Sequence, residues 1–127
     1  MPTRLPMDLT TLDFQQARIK QILFKSQLRS VLYGVREADE ALFSPQGSAL
    51  GQWLSTEVKP RYPGHPDVRE AERLLQQLLS TGRELATQYR HGQIDEARRG
   101  LTRIDRVGEE LVTVLQRLGT RPTPLAA

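Results

Sequence analysis

The sequence predicts an all-α protein, an antiparallel four-helix bundle of three long helices with a short helix in the 35–64 connection. Apolar residues recur every three or four positions through three long segments, the period of one helix face. Glycine and proline fall between those segments, and no stretch reads as a strand hairpin with its period of two. Three long amphipathic helices and one short one bury their stripes most economically against each other.

The first helix spans about Leu12 to Leu32 and stops near Gly34, with Ala17, Phe24, Leu28 and Val31 on its inner face. Gln21 sits on that same stripe, midway between Ala17 and Phe24. Ile19, Ile22 and Leu23 lie off the stripe, so the helix is apolar on a second side. Such a face is either shared with a second copy or covered by the chain's own segment Val35 to Gly64. Ser44-Pro45-Gln46-Gly47, Pro60 and Pro63 break that segment. Within it, Ala49 to Leu54 form a short helix that carries Trp53 as a core anchor, with Ser48 as N-cap. Pro66 opens the third helix, where its missing N–H costs nothing. Its inner face is Val68, Ala71, Leu75, Leu78, Leu79, Gly82, Leu85 and Tyr89, and Gly92 ends it. The last helix starts near Gln93 and buries Ile94, Ala97, Leu101, Ile104, Leu111, Leu115 and Leu118. Gly108 fills the one gap in that seam and Gly119 is the stop. Residues 1–11 and 120–127 read as tails, the second disordered, which leaves 12–119 as the domain.

Composition narrows the chemistry. A chain of 127 residues with 38% hydrophobic and 26% charged residues is one ordinary globular domain. It has no cysteine, hence no disulfide framework, thiolate metal site or cysteine nucleophile, which fits the cytoplasm. No stretch approaches the ~18 apolar residues of a membrane span, and Met1 to Thr11 lacks the apolar core of a signal peptide. Eighteen basic against 15 acidic residues leave a net charge of +3, too little for a nucleic-acid footprint. The stripe Arg69, Arg73, Arg83 and Arg90 is interspersed with Glu70, Glu72 and Glu84. The carboxylate pairs Asp39–Glu40, Asp95–Glu96 and Glu109–Glu110 are adjacent, so their members point apart. His65 precedes a helix and His91 follows one. A metal site would need them to converge, with Asp67 and Glu70 in support; acidic residues in a first helical turn are explained more simply by the macrodipole. With no nucleophile elbow and no phosphate-binding loop, the expectation is a protein that is not an enzyme and uses no cofactor.

Three stretches carry a resemblance: "DFQQARIKQILFKSQLRSVLYG" from Asp13 to Gly34, "SALGQWL" from Ser48 to Leu54, and "LLQQLLSTGRELATQYRHGQIDEAR" from Leu74 to Arg98. In that order and spacing the chain resembles the chemoreceptor zinc-binding (CZB) family over about Leu12 to Leu118. Members show His-x-x-Trp-Lys-x-x-Leu on the first helix, Cys-x-Leu-Gly-Lys/Arg-Trp on the short one and His-x-x-x-His on the third. A Gly-Asp-x-x-x-Ala step opens the last helix, and Gly92-Gln93 followed by Ala97 looks like it. The most specific match is Leu50-Gly51-Gln52-Trp53-Leu54.

Carried over position by position, the family's three-histidine, one-cysteine zinc site falls on Gln21, Ser48, Leu75 and Leu79. A shift of one residue on the third helix would place its pair at Gln76 and Ser80 instead. Neither register supplies the imidazole, thiolate or carboxylate that tetrahedral zinc requires. The resemblance therefore implies a degenerate member without zinc, its centre filled by apolar side chains and Gln21 placed to hydrogen-bond Ser48. It also implies a cytoplasmic sensory or regulatory module of bacterial signalling, of the chemotaxis or cyclic-di-GMP type. This one would stand alone and act through a protein partner or itself as a homodimer, with Ile19, Ile22 and Leu23 as candidate interface. No nucleic acid and no membrane is expected as partner. The alternative is a small-ligand or non-zinc metal sensor that uses the vacated centre.

Overall fold

The computed structural model describes residues 9–120, with side chains through Leu118. It is all-helical among the described residues: α1 (Thr11–Leu32), α2 (Ala49–Trp53), α3 (Pro66–Arg90), α4 (Ile94–Arg99) and α5 (Leu101–Thr120). A 3-10 turn, Glu40–Phe43, precedes α2, and a π-helical turn, Leu54–Val58, follows it. The packing of α3 on α5 is the most extensive, α1 lies against both, and α2 rests on α1. No described helix is long and apolar enough to cross a membrane.

The start of α1 lies inside what reads as an N-terminal tail. Thr10 and Asp13 form a capping box: the Asp13 N–H donates to Thr10 Oγ1 (3.2 Å) and the Thr10 N–H to Asp13 Oδ2 (2.8 Å). Leu9 and Phe14 take the two positions of a hydrophobic staple; Leu9 is buried and Phe14 packs on the core. The Leu9 N–H also donates to the Tyr62 hydroxyl (2.9 Å), and Arg61 reaches Asp13 Oδ2 at 3.1 Å. Leu9 and Thr10 are thus tied into the fold; the rest of the N-terminal tail, residues 1–8, and residues 121–127 lie outside the described residues.

Partial burial by itself would raise the Asp13 carboxyl. The Thr10 N–H, the Arg61 guanidinium and the Thr10 hydroxyl together outweigh it and hold the group below the usual carboxylate range. A group depressed in the folded state stabilises fully above its unfolded pKa, and that contribution is lost as pH falls through its folded value. Asp13→Asn is therefore expected to cost ~1 kcal/mol at neutral pH. Urea unfolding of both proteins, repeated in strong acid, should show the difference vanish.

Glycine closes two helices as the sequence predicts. After α1, Gly34 at φ 75° lets the Val35 N–H reach Ser30 O (2.8 Å) and its own N–H reach Val31 O (3.1 Å). After α3, Gly92 at φ 86° repeats the motif, with Gln93 N–H on Gln88 O (2.9 Å) and Gly92 N–H on Tyr89 O (3.1 Å). These are Schellman closures, which need a left-handed residue at that point.

The last helix departs from its predicted form. It is interrupted at Gly100, where a Cβ would run into the Leu85 side chain, so the junction packs tightly on α3. The first turn of α4 lies beside the Gly92 turn, past Ala86, the last buried residue of α3. Ile94 is consequently exposed and Leu101 half-buried, and of α4 only Ala97 is buried. Arg98 holds α4 to the end of α1: its Nε donates to Leu32 O (2.8 Å) and its guanidinium covers the Tyr33 ring at 4.0 Å. The inward stripe of α5 is wider than predicted, since Val107, Val112 and Val114 are buried too. The helix runs through Gly119 to Thr120, because a lone glycine does not end a helix that its neighbours continue.

Candidate functional site

The four residues at the carried-over ligand positions are all buried. Gln21 is 6% exposed, Ser48 5%, Leu75 4% and Leu79 2%. Gln76 and Ser80, the alternatives on α3, are exposed, because they lie on the far side of the stripe that faces α5 and α1. Leu75, Leu79, Phe24 and Trp53 belong to one continuous apolar cluster. Fully burying each leucine is worth ~1.5–3 kcal/mol.

Gln21 occupies a place made by Gly108. A Cβ at residue 108 would meet Gln21 Nε2 and lie 2.6 Å from Gln21 Cδ. The gap in the α5 seam is thus not a weak spot in the apolar pattern; it is the space that the glutamine fills. The hydrogen bond expected between Gln21 and Ser48 is absent. Ser48 Oγ instead accepts the Gly51 N–H (3.2 Å), since it is the N-cap of α2, and the Gln21 side chain makes no hydrogen bond within the described residues.

This donor set does not fit zinc. One amide, one hydroxyl already serving as a helix cap and two leucines supply neither the charge nor the ligand number of a tetrahedral site. Among the described residues no group of three or more His, Cys, Asp or Glu could hold a metal ion. His65 and His91 flank opposite ends of the 25-residue α3, ~39 Å apart at the helical rise per residue. Half-buried, His65 caps α3, its Nδ1 accepting the Asp67 N–H at 3.0 Å, while His91 is exposed at the C-cap. Asp67 and Glu70 turn to arginines, Asp67 to Arg117 (3.0 Å) and Glu70 to Arg73 (2.7 Å). The Arg73 hydrogen bond holds the Glu70 carboxyl below its usual range.

The remaining charges mostly tie elements together. Arg83 reaches Glu40 (2.6 Å), and Arg18 and Lys25 of α1 reach Glu109 (3.5 Å) and Asp105 (2.7 Å) of α5. Trp53 is a core residue at 5% exposure, although its indole N–H has no acceptor among the described residues.

Ile19, Ile22 and Leu23 are exposed at 63%, 61% and 43%, so the 35–64 connection does not cover them. That connection buries Leu42, Phe43, Leu50 and Leu54 in the core instead. Leu12 and Tyr33 extend the outer face to both ends of α1; Gln15, Gln16, Ser26 and Ser30 lie between them, and Arg29 covers the Tyr33 ring at 5.5 Å. The fold and these surfaces define an all-helical domain with a side-chain-filled centre and one uncovered apolar helix face. No protein-family model, curated protein or solved structure matches the chain.

Proposed function

We propose that this chain is a degenerate member of the CZB family, a regulatory interaction module of bacterial signalling in the cytoplasm that is not an enzyme and binds no zinc. The observation that carries the reading is the outer face of α1, where Leu12, Ile19, Ile22 and Leu23 stand in solvent and Tyr33 closes the stripe beneath the Arg29 guanidinium. Apolar side chains in such a row mark a contact surface. A second copy suits it: of the cations beside the stripe, Arg18 and Lys25 are paired with α5 and Arg29 is stacked on Tyr33, which lowers the repulsion between two approaching α1 helices. The three-residue turn between α3 and α4 supports an antiparallel four-helix bundle as the arrangement behind that face.

Light scattering tests the assembly. The wild-type protein is expected to scatter as a dimer. The variant Ile22→Lys with Leu23→Lys should scatter as a monomer with unchanged helical content. A wild-type monomer at high concentration removes the dimer reading.

Elemental analysis of untagged protein is expected to find no stoichiometric zinc. Conversely, Gln21→His, Ser48→Cys, Leu75→His and Leu79→His introduced together should restore a tightly held zinc. A folded quadruple variant that takes up none would sink the family reading. A small-ligand or non-zinc metal sensor at the vacated centre is the second reading. It is favoured by one observation: the side chain of Gln21, a residue only 6% exposed, has no hydrogen-bond partner among the described residues. A thermal midpoint that rises with a bound ligand in wild type but not in Gln21→Leu would select it.

A further inference from the structure

Most arginines of the described chain are engaged. Arg18, Arg61, Arg73, Arg83, Arg103 and Arg117 make ion pairs. Arg29 and Arg98 lie over the Tyr33 ring, and Arg69 donates to Gly64 O. Arg36, Arg90, Arg99 and Arg106 have no such partner among the described residues. Two of these, Arg36 and Arg90, line the same pocket, which lies between the end of α1, the segment after it and the end of α3.

That pocket has a volume of about 610 Å³, within the range of small-molecule sites. Val31, Val35 and Ala38 supply apolar walls, and Tyr89 brings a hydroxyl with no hydrogen-bond partner in the described chain. Gly34 shapes the wall: a Cβ there would stand 2.8 Å from the Tyr89 hydroxyl oxygen. Glu37 also lines the pocket, yet it makes no ion pair with either arginine. Two unpaired guanidiniums and a phenol over apolar walls form a donor set that lacks its acceptor. Guanidinium forks match carboxylate and phosphate oxygens.

We infer that this pocket binds a small organic oxyanion, a carboxylate or phosphate monoester with a compact apolar body. The anion would take donors from Arg36, Arg90 and the Tyr89 hydroxyl while its body lies on Val31, Val35 and Ala38. The site is separate from the vacated centre and does not depend on the dimer. If it is the module's stimulus site, it adds an input where the family's zinc site no longer fits a metal.

The test is an amide-resolved NMR titration of the wild-type protein with benzoate and phenyl phosphate. Benzyl alcohol serves as the body without charge, and acetate and inorganic phosphate as charge without body. At least one aromatic anion is expected to give saturable shifts centred on Val35, Arg36 and Tyr89, and which one decides between carboxylate and phosphate. The control compounds should bind about tenfold or more weakly, as should the aromatic anion to Arg36→Gln or Arg90→Gln, whose thermal midpoints should stay at the wild-type value. Tyr89→Phe should weaken binding by a smaller factor. No saturable shift with either aromatic anion, equal binding of benzyl alcohol, or undiminished binding to both arginine variants would overturn the proposal. Oligomeric state does not enter the readout, so a failed dimer prediction leaves this result standing.

Discussion

Leu79→Ala is expected to lower the unfolding free energy by ~2–5 kcal/mol, the range for deleting a fully buried leucine from a core that relaxes only in part. Leu79 is 2% exposed and shares one apolar cluster with Phe24 and Trp53, so the cavity would open at the middle of the domain. At this size each kcal/mol moves the thermal midpoint by roughly 2–8 °C. Leu75→Ala should behave alike, while Gln76→Ala and Ser80→Ala should stay within ~0.5 kcal/mol, since both positions are exposed. Thermal unfolding followed by circular dichroism compares the four variants directly. Equal midpoints across the set would mean that α3 faces the core with a different pair of positions.

Gly51→Ala should destabilise by ~1–3 kcal/mol, even though alanine is the better helix former. Residue 51 lies on α2 against the turn before it, and a Cβ there would run into the carbonyl of Pro45, with the Pro45 Cα only 2.9 Å away. Backbone cannot swing aside as a side-chain tip can. The clash would push the Ser44–Gly47 turn off α2 and disturb the Ser48 cap, whose hydroxyl accepts the N–H of residue 51 itself. Gly64→Ala is the informative control. Gly64 has open space around it but a φ of 70°, so its cost would come from backbone strain alone. Urea midpoints of the two variants separate collision from strain, and a Gly51→Ala protein as stable as wild type would show that α2 and the Pro45 turn can move apart.

The helices were legible because their determinants are local. The three-four spacing of apolar residues, Ser48 before its helix, Pro66 at the start of α3, and Gly34 and Gly92 after α1 and α3 each act within a turn or two of chain. The same spacing put Leu75 and Leu79 on the inner face of α3, where both are buried. Where prediction and structure differ, the deciding contact comes from far along the chain. Leu9 is held by Tyr62, which no reading of the first eleven residues can reveal. Gly100 interrupts the last helix where Leu85 of α3 leaves no room for a side chain.

By itself the sequence determined where the helices lie, which faces are apolar, and that the carried-over metal positions hold no zinc donors. Only the tertiary structure decided that Gln21 fits against Gly108 and that the 35–64 connection leaves Ile19, Ile22 and Leu23 in solvent. It also brought Arg36 and Arg90 to one pocket, although 54 residues of chain separate them. Capping and periodicity are written in neighbouring residues, whereas space-filling and convergence depend on how whole helices lie against one another.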